Sequence, residues 1–336
     1  MNSLAEICSE TQERRLSPLL SIIIPVRNDP KRLQNCLASL FGDQCPAGGM
    51  EIIVGDNSTD SRCEDVAVAA GASLVKLPGI NVASVRNCAA ACARGEFLAF
   101  VDADHTIEPG WIMAAIGAFS RPEIGAAGFP YLPPETGTWV QSAYDRFRQR
   151  PCEPQNVEWL GSGNLVIRRD LFRTLGGFDS SLETCEDVDL CGKIRRAGYS
   201  LVANPAMRSV HWGDPATLKA VFRGELWRGR SNLRVSFRKP YSTRNIVSAL
   251  IPLANLASGF FALSATVIAP RQLILWMIPA SIIWALSVFL RVWRMRKANE
   301  GWDFSRTVRN LVVAIVFESA RALALILRSS HRRRSG

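Results

Sequence analysis

The sequence has few of the residues that build zinc sites and disulfide frameworks. It contains only three histidines, and none of its nine cysteines stands in a CxxC pair or at metal-finger spacing from a histidine. Zinc sites and disulfide scaffolds both leave such spacings in a sequence. We therefore expect no zinc site, and we expect the cysteines to be reduced thiols in a reducing compartment.

The first 17 residues lack the apolar core of a secretory signal peptide. They mix Glu, Gln and Arg with short apolar side chains, whereas a signal peptide needs an uninterrupted apolar run. We expect residues 1–18 to be an N-terminal tail, and we expect the domain that follows it to stay in the cytoplasm.

The charge of the chain is unbalanced and unevenly placed. The 336 residues exceed one typical domain and carry a formal net charge of +10. Such an excess suits either nucleic acid or an anionic membrane surface. Many of the basic residues lie in 223–244 and 291–297, directly beside apolar segments. This placement favours a membrane surface and argues against a nucleic-acid partner.

Two nearly uncharged segments lie between these basic stretches. Residues 246–269 and 273–290 are each long enough to cross a hydrocarbon core of about 30 Å, and Pro270-Arg271 is their short connection. Basic residues on both sides predict that both ends lie in the cytoplasm. We therefore predict a basic juxtamembrane segment over 223–245 and a transmembrane hairpin over 246–290 in the cytoplasmic membrane. The alternative is a pair of buried core helices.

A third apolar segment, residues 311–327, is interrupted by Glu318 and Arg321 and followed by the basic run His331 to Arg334. If it crossed the membrane, this basic tail would lie outside, against the usual charge rule. We expect residues 291–336 to form a basic loop, an amphipathic helix in the cytoplasmic interface and a basic tail. A third crossing is the alternative.

The first part of the chain alternates between strand and helix patterns. Buried strands are predicted at Leu19 to Val26, Glu51 to Val54, Ser73 to Leu77 and Phe97 to Val101, with helical spacing between them. This alternation predicts a doubly wound, Rossmann-like α/β domain with ligands at the carboxyl ends of its strands. Residues 130–154, which contain five prolines, are predicted to be a long connection of the kind that often serves as a binding loop.

Two pairs of carboxylates stand at the ends of predicted elements. Asp102 and Asp104 stand directly after the strand FLAFV, where two acids can hold one hard divalent cation. Glu186 and Asp187 stand at the start of a predicted helix. From these residues alone, both pairs are also typical of turns and helix caps.

Arg86 lies in the first turns of another predicted helix, where a cation is badly placed for the helix dipole. Such a guanidinium can contact a diphosphate. Pairing with a nearby acid is an equally good interpretation.

Five segments in order resemble a known family. They are SIIIPVRND, EIIVGDNSTD, NVASVRNCAAACARGEFLAFVDAD, GSGNLVIRRDLFRTLGGFD and ETCEDVDLCGKIRRAGYSL. Together they are similar to the successive blocks of the family 2 inverting glycosyltransferases, which have the GT-A fold. The resemblance covers about Ser21 to Trp212, and ordered agreement of several blocks is far more specific than any one motif. It implies a GT-A domain over residues 19–222.

The resemblance implies roles for the donor side of the site. Asp56 matches the acid that hydrogen-bonds the nucleobase, although a turn or cap is its local alternative, and Pro25 and Arg27 match the loop beside the nucleoside. Asp104 matches a direct metal ligand, and Asp102 matches an acid shared between ribose and metal. Arg86 matches the basic residue near the diphosphate. Gly55 departs from the family, which often has a second acid there.

The resemblance also implies an acceptor side and a metal. Asp187 matches the base that takes the proton from the acceptor hydroxyl, and Glu186 would orient it. His211 matches a histidine that completes the shell of Mn²⁺ or Mg²⁺, and packing beside Trp212 is its alternative. Transfer would be a single displacement with inversion.

The function expected from the sequence is therefore transfer of a sugar from a nucleotide-sugar donor, with UDP as the expected nucleotide. The acceptor is expected to be lipid-linked or a glycan, in cell-envelope or exopolysaccharide synthesis. The alternatives are a polyprenyl-phosphate sugar transferase and a non-catalytic membrane scaffold. The intact acids argue against the scaffold.

Overall fold

The computed structural model describes residues 17–239, 241–268, 273–296 and 301–327. The predicted N-terminal tail, apart from its last two residues, the Pro270-Arg271 connection and the basic C-terminal tail lie outside the described residues. The chain divides into two compact units. The first comprises Met1–Leu132, Arg150–Ser181 and Glu186–Trp212, and the second comprises Pro133–Gln149, Leu182–Cys185 and Gly213–Gly336.

All strands of the described residues belong to the first unit. They are β1 (Leu20–Val26), β2 (Met50–Asp56), β3 (Ser73–Lys76), β4 (Phe97–Val101), β5 (His105–Ile107), β6 (Ile124–Gly128), β7 (Gln155–Asn156), β8 (Asn164–Arg168), β9 (Ser200–Ala203) and β10 (Ser209–His211). In the described part of the chain, eight of them form one sheet in the order β3-β2-β1-β4-β8-β6-β9-β7, and β10 pairs with β5 in a separate ribbon.

The described helices surround this sheet or build the second unit. They are α1 (Pro30–Phe41), α2 (Arg62–Ala69), α3 (Val82–Ala91), α4 (Trp111–Gly117), α5 (Trp139–Asp145), α6 (Arg169–Thr174), α7 (Glu186–Arg196), α8 (Leu218–Arg228), α9 (Asn232–Ser236), α10 (Thr243–Ile268), α11 (Leu273–Met295) and α12 (Phe304–Leu323).

The predicted α/β class is confirmed. Strands β1 to β4 are parallel, and β1 lies between β2 and β4, so their carboxyl ends meet at one edge. The second half differs from a purely parallel sheet because β8 runs antiparallel to both β4 and β6. Strands β1 and β4 are buried along their whole length, which is why they read as continuous apolar runs in the sequence.

The proline-rich connection over 130–154 contains a helix that the sequence analysis missed. Helix α5 begins at a capping box, in which Thr138 accepts from the Gln141 N–H and the Gln141 side chain accepts from the Thr138 N–H. A helix of seven residues is too short to show a clear apolar period, so its cap was the only local signal.

Two helices of the second unit are long and apolar enough to cross a membrane by length and composition. They are Thr243–Ser264, with a mean hydropathy of 1.9, and Met277–Met295, with a mean hydropathy of 1.3. Only 22% and 17% of these windows are buried, which is less than expected for the core helices of a soluble protein. Helix α12 is not among the candidate spans of the described chain.

Buried ion pairs hold α12 inside the second unit. Glu318 is fully buried and accepts from Arg291 of α11 and from Asn255 of α10. One turn later, Arg321 donates to Glu225 of α8 at 2.8 Å. Burial opposes ionisation of Glu225, but nearby Arg321 outweighs it and lowers its pKa. Helix α12 is therefore held by buried charged contacts to three other helices, α8, α10 and α11.

Candidate active site

Asp104 and two histidines meet where β4 ends. Strand β10 pairs antiparallel with β5, and this register sets His211 opposite His105. Asp104 Oδ2 lies 3.4 Å from His211 Nε2, and Asp104 Oδ1 lies 4.0 Å from His105 Nε2. The three candidate ligand atoms lie within 4.8 Å of one another. One carboxylate and two imidazoles at this spacing fit a divalent transition-metal ion.

The electrostatics of this group favour a charged carboxylate. Burial would raise the pKa of Asp104, but His211, and after it His105 and Arg32, hold that pKa well below its usual range. His105 Nδ1 lies 3.3 Å from Ser209 Oγ, a contact that orients the ring so that Nε2 is turned toward Asp104.

The loop before β8 approaches this group closely. A Cβ on Gly163 would lie 2.7 Å from Asp102 Oδ2 and 3.1 Å from His105 Nε2, so any other residue here would force the Asp102 carboxylate to shift. The Tyr131 ring packs edge-on against His105 at 4.4 Å between centroids and also contacts His211 at 5.3 Å. Gly163 and Tyr131 therefore form part of the wall around the candidate ligands.

Arg86 joins two acids from different parts of the chain. Its Nη2 donates to Asp102 Oδ1 at 2.6 Å, and its Nη1 donates to Glu186 Oε1 at 2.8 Å. Only 4% of the Arg86 side chain is exposed. Of the two interpretations from sequence, the structure shows the pairing with acids, and the contact with a diphosphate stays a prediction.

Asp187 follows Glu186 at the start of α7. Burial, and after it the nearby Glu186 carboxylate, raise the pKa of Asp187 to about 7. The N–H groups of Val188 and Ser162 and the charge of Arg86 oppose this shift. A carboxylate with a pKa near neutrality is suited to act as a general base.

The carboxyl ends of β1 and β2 carry the residues predicted for the nucleoside. Asp56 is buried at the end of β2 and accepts from the Ser58 N–H at 2.9 Å, so it forms the local turn that was its alternative interpretation. Arg27 is exposed just after β1, and Pro25 lies opposite Gly55 in the register of β1 and β2.

Gly55 has a packing reason for its departure from the family. A Cβ there would lie 2.7 Å from Val85 Cγ1 of α3. A second acid at this position would therefore collide with the helix that carries Arg86.

The structure brings five of the predicted residues into two adjoining groups. Asp104 and His211 stand together with His105, whereas Asp102 is bonded through Arg86 to Glu186. Asp102 is outside the three-residue group, and its predicted metal role stays a prediction. The predicted catalytic roles of Glu186 and Asp187 also stay predictions.

Sequence analysis missed His105, Tyr131 and Gly163 as site residues. His105 had a signal, because it directly follows the two acids in DADH. Tyr131 had none, since its place depends on the Leu132 N–H and C=O pairing with Ser209 and His211 of β10.

Known proteins are similar to this chain in sequence and in fold. Residues 21–176 match the model of glycosyl transferase family 2. The chain is 28% identical over 268 residues to the pre-mycofactocin glycosyltransferase of Mycobacterium tuberculosis, covering 74% of this chain and 55% of that protein. It is 30% identical over 226 residues to the O-antigen biosynthesis protein RfbC of Myxococcus xanthus, covering 59% of this chain and 17% of that protein.

The chain thus spans about half the length of the mycobacterial relative and a smaller share of the myxobacterial one. Its fold is similar to that of the mannosyltransferase PcManGT from Pyrobaculum calidifontis, solved with GDP-Man and Mn²⁺. The TM-score is 0.63 at 16% identity, over 91% of this chain and 87% of that one. The strand order, the acids at the strand ends and the match over residues 21–176 agree: these residues form a glycosyl transferase family 2 domain with a GT-A fold.

Proposed function

We propose that this chain is a membrane-anchored, metal-dependent, inverting glycosyltransferase. It moves a sugar from a nucleotide-sugar donor, with UDP as the expected nucleotide, to a lipid-linked or polysaccharide acceptor of the cell envelope. The observation that carries the proposal is Asp187, whose pKa of about 7 suits a base, beside the Glu186–Arg86–Asp102 chain of charged groups. Relatives named for O-antigen and succinoglycan biosynthesis support the class of product.

In the proposed reaction, Asp187 takes the proton of the acceptor hydroxyl while that oxygen forms a bond to the anomeric carbon. The bond from this carbon to the diphosphate oxygen breaks on the opposite face, so the configuration inverts. The electron pair leaves with the nucleoside diphosphate, and Asp187 ends protonated. No covalent sugar–enzyme intermediate forms.

The other residues bind the nucleotide or position the catalytic acids. Asp56 would accept a hydrogen bond from the nucleobase, with Pro25 and Arg27 beside the nucleoside and Asp102 near the ribose. Arg86 is a positioning residue, because its two hydrogen bonds fix Asp102 relative to Glu186.

The donor set of the metal group fits Mn²⁺ or Mg²⁺, with two imidazoles favouring Mn²⁺. When bound by Asp104, His105 and His211, the ion would stabilise negative charge on the leaving diphosphate.

A donor panel tests the proposed function. Release of UDP, GDP or dTDP from their sugars should depend on membrane lipid extract, because the acceptor is expected to be lipid-linked. Release from one nucleotide class with extract, and none from an Asp187→Asn control, supports the transferase. Saturable nucleotide binding with no release from any donor, with or without extract, would instead favour the non-catalytic scaffold.

Metal dependence should appear in nucleotide binding itself. In Asp104→Ala, the affinity for UDP in the presence of Mn²⁺ should fall about 100-fold, to the level that the parent shows with a chelator, because the mutant lacks the charged ligand of the group. Calorimetric titration measures this without turnover. Tight UDP binding that is indifferent both to chelator and to the substitution would contradict the metal assignment.

The two histidines should differ from packed core histidines in their response to metal. His211→Ala and His105→Gln should each weaken Mn²⁺ binding about tenfold or more and should affect Mg²⁺ binding less. The concentration of free Mn²⁺ is measured by its electron paramagnetic resonance signal. Unchanged Mn²⁺ affinity together with a lower melting temperature would show that the replaced histidine is a packing residue, beside Trp212 for His211 or beside Tyr131 for His105.

The membrane hairpin gives a labelling prediction. With an impermeant thiol reagent added outside intact cells, a cysteine introduced at Arg271 should react, whereas one at Arg296 should not. Exposed native cysteines of the first unit are built-in controls and should also stay unlabelled: Cys45, Cys88, Cys92 and Cys152. Labelling at Arg296 would overturn the proposed orientation.

A further inference from the structure

A second concave site lies within the second unit. Its cavity of about 310 Å³ is at the lower end of the range for ligand pockets. Helix α5 provides one wall and the first turns of α12 the other. The lining residues are Trp139, Ser142, Ala143, Arg146, Asp303, Ser305, Arg306, Arg309 and Asn310.

The charge of this cavity is positive. Three arginines line it against one acid, and that acid, Asp303, is engaged as the cap of α12 through the Arg306 N–H at 2.9 Å. The start of a helix is also the positive end of its dipole. Arg306 and Arg309 therefore stand at the end of α12 where cations are least favourable, and no acid follows Asp303 in the first turn. A bound anion would offset the repulsion between these arginines and the positive end of the helix dipole.

Asn310 adds a buried polar side chain to the wall of the cavity. Its side chain lines the cavity, the residue is only 4% exposed, and its buried amide oxygen receives no hydrogen bond. Leaving a buried polar group unpaired costs about 1–3 kcal/mol. A terminal amide that turns over offers either an N–H₂ donor or a carbonyl acceptor. The unpaired oxygen is an acceptor, so a phosphate ligand would pair with Asn310 only through its N–H₂ group, with the amide turned over.

The surroundings of the cavity indicate where such a ligand comes from. Trp302 and Phe304, on either side of Asp303, are 71% and 68% exposed, and their rings lie 6.1 Å apart. Trp139 is also exposed at the cavity. Exposed aromatic rings beside arginines are typical of the boundary between membrane and water. The same unit carries the two helices that are apolar enough to span a membrane.

We propose that this cavity binds the phosphate or diphosphate headgroup of a membrane lipid. The arginines supply charge-assisted hydrogen bonds to the phosphate oxygens, and the aromatic rings lie beside the start of the lipid chain. The headgroup has two possible sources, a bulk anionic phospholipid or a polyprenyl-phosphate carrier. The inference goes beyond sugar transfer, because binding here needs neither donor nor Asp187.

The test uses the full chain in neutral detergent micelles without divalent cations. Inorganic pyrophosphate is titrated calorimetrically as the headgroup probe. Arg309→Gln and Arg146→Gln should each weaken its binding about tenfold, the effect of one charge-assisted hydrogen bond. Arg309→Lys should retain part of the affinity, since it keeps the charge but loses the planar fork.

The matched control is Arg223→Gln, an exposed arginine of α8 that does not line the cavity. An equal loss in this control, or no saturable binding in the parent, would overturn the site. UDP binding with Mn²⁺ should be unchanged in Arg309→Gln. This measurement distinguishes a failure of the lipid site from a failure of the proposed transferase function.

Lipid competition identifies the source. Phosphatidylglycerol and polyprenyl phosphate, each doped into the micelles at the same mole fraction, should displace pyrophosphate. Equal displacement by both assigns the site to bulk anionic lipid, and stronger displacement by polyprenyl phosphate assigns it to the carrier. If neither lipid displaces the probe, the assignment to a lipid headgroup is wrong.

Discussion

Replacement of Asp187 by Asn should lower the rate of sugar transfer by about 10²–10⁴-fold, the usual contribution of a general base. Asparagine has nearly the same shape but cannot accept the acceptor proton. Donor binding should be nearly unchanged, because the base acts on the acceptor. Steady-state transfer, together with calorimetric titration of UDP, measures both quantities. Loss of UDP binding along with activity would point to a structural role instead.

The pH profile of the parent provides a second arm of this prediction. Because the pKa of Asp187 is raised to about 7, the carboxyl is protonated and inactive as a base below that pH. The value of kcat/KM should therefore fall about tenfold per pH unit on the acid side and level off above about 7. In Asp187→Asn the residual kcat/KM should no longer show this fall on the acid side, the acid limb of the profile.

Stability is the control for misfolding in the same variant. A raised carboxyl pKa means that ionisation of Asp187 is disfavoured in the folded protein. Stability is therefore lost as the pH rises from the ordinary pKa of an aspartate toward about 7, and the charge destabilises the fold above that pH. The asparagine side chain that replaces it carries no charge. The variant should therefore be at least as stable as the parent above this pH, and a marked loss of stability would contradict the assignment.

Replacement of Arg86 by Met should have the largest effect on stability. The side chain is 4% exposed and holds Asp102 and Glu186, which would be left as two unpaired carboxylates. Removing one partner of a buried ion pair costs about 3–5 kcal/mol. For a unit of this size, such a loss should lower the melting temperature by about 10 °C. Thermal unfolding of the full chain measures it.

The pH profile separates the positioning role of Arg86 from simple loss of fold. The charge of Arg86 lowers the pKa of Asp187, so its removal should shift the acid limb of kcat/KM upward in the protein that remains folded. Arg86→Lys keeps a charge without the two-pronged geometry and should shift the limb less.

Arg94→Met is the matched control. Arg94 pairs with Glu51 in the same unit, but the Arg94 side chain is 68% exposed, and Glu51, which is 13% exposed, keeps its hydrogen bonds from Ser21 Oγ and from the backbone N–H of residue 94 when the Arg94 side chain is replaced. We therefore expect a loss of about 0–1 kcal/mol, as for an exposed pair. Similar melting temperatures for the two variants would contradict a buried bridge at Arg86. Loss of UDP binding in Arg86→Met with its stability intact would favour the contact with diphosphate that the sequence analysis considered.

The sequence by itself determined the first half of the fold. The strand FLAFV was predicted with the bounds that the structure has, because β4 is buried on both faces and must be apolar at every position. The parallel partners β1 and β2 followed for the same reason. Acids after such strands could be assigned to the ligand edge of the sheet, since topology fixes where carboxyl ends lie.

Only the tertiary structure decided which groups Arg86 contacts and which histidines lie beside Asp104. The sequence left Arg86 with two interpretations because Glu186, its second partner, is 100 residues away along the chain. His105 faces His211 only through the pairing of β5 with β10, two strands of three residues that carry almost no local pattern. Short strands and buried ion pairs are set by contacts between distant residues, and one-dimensional periodicity does not record such contacts.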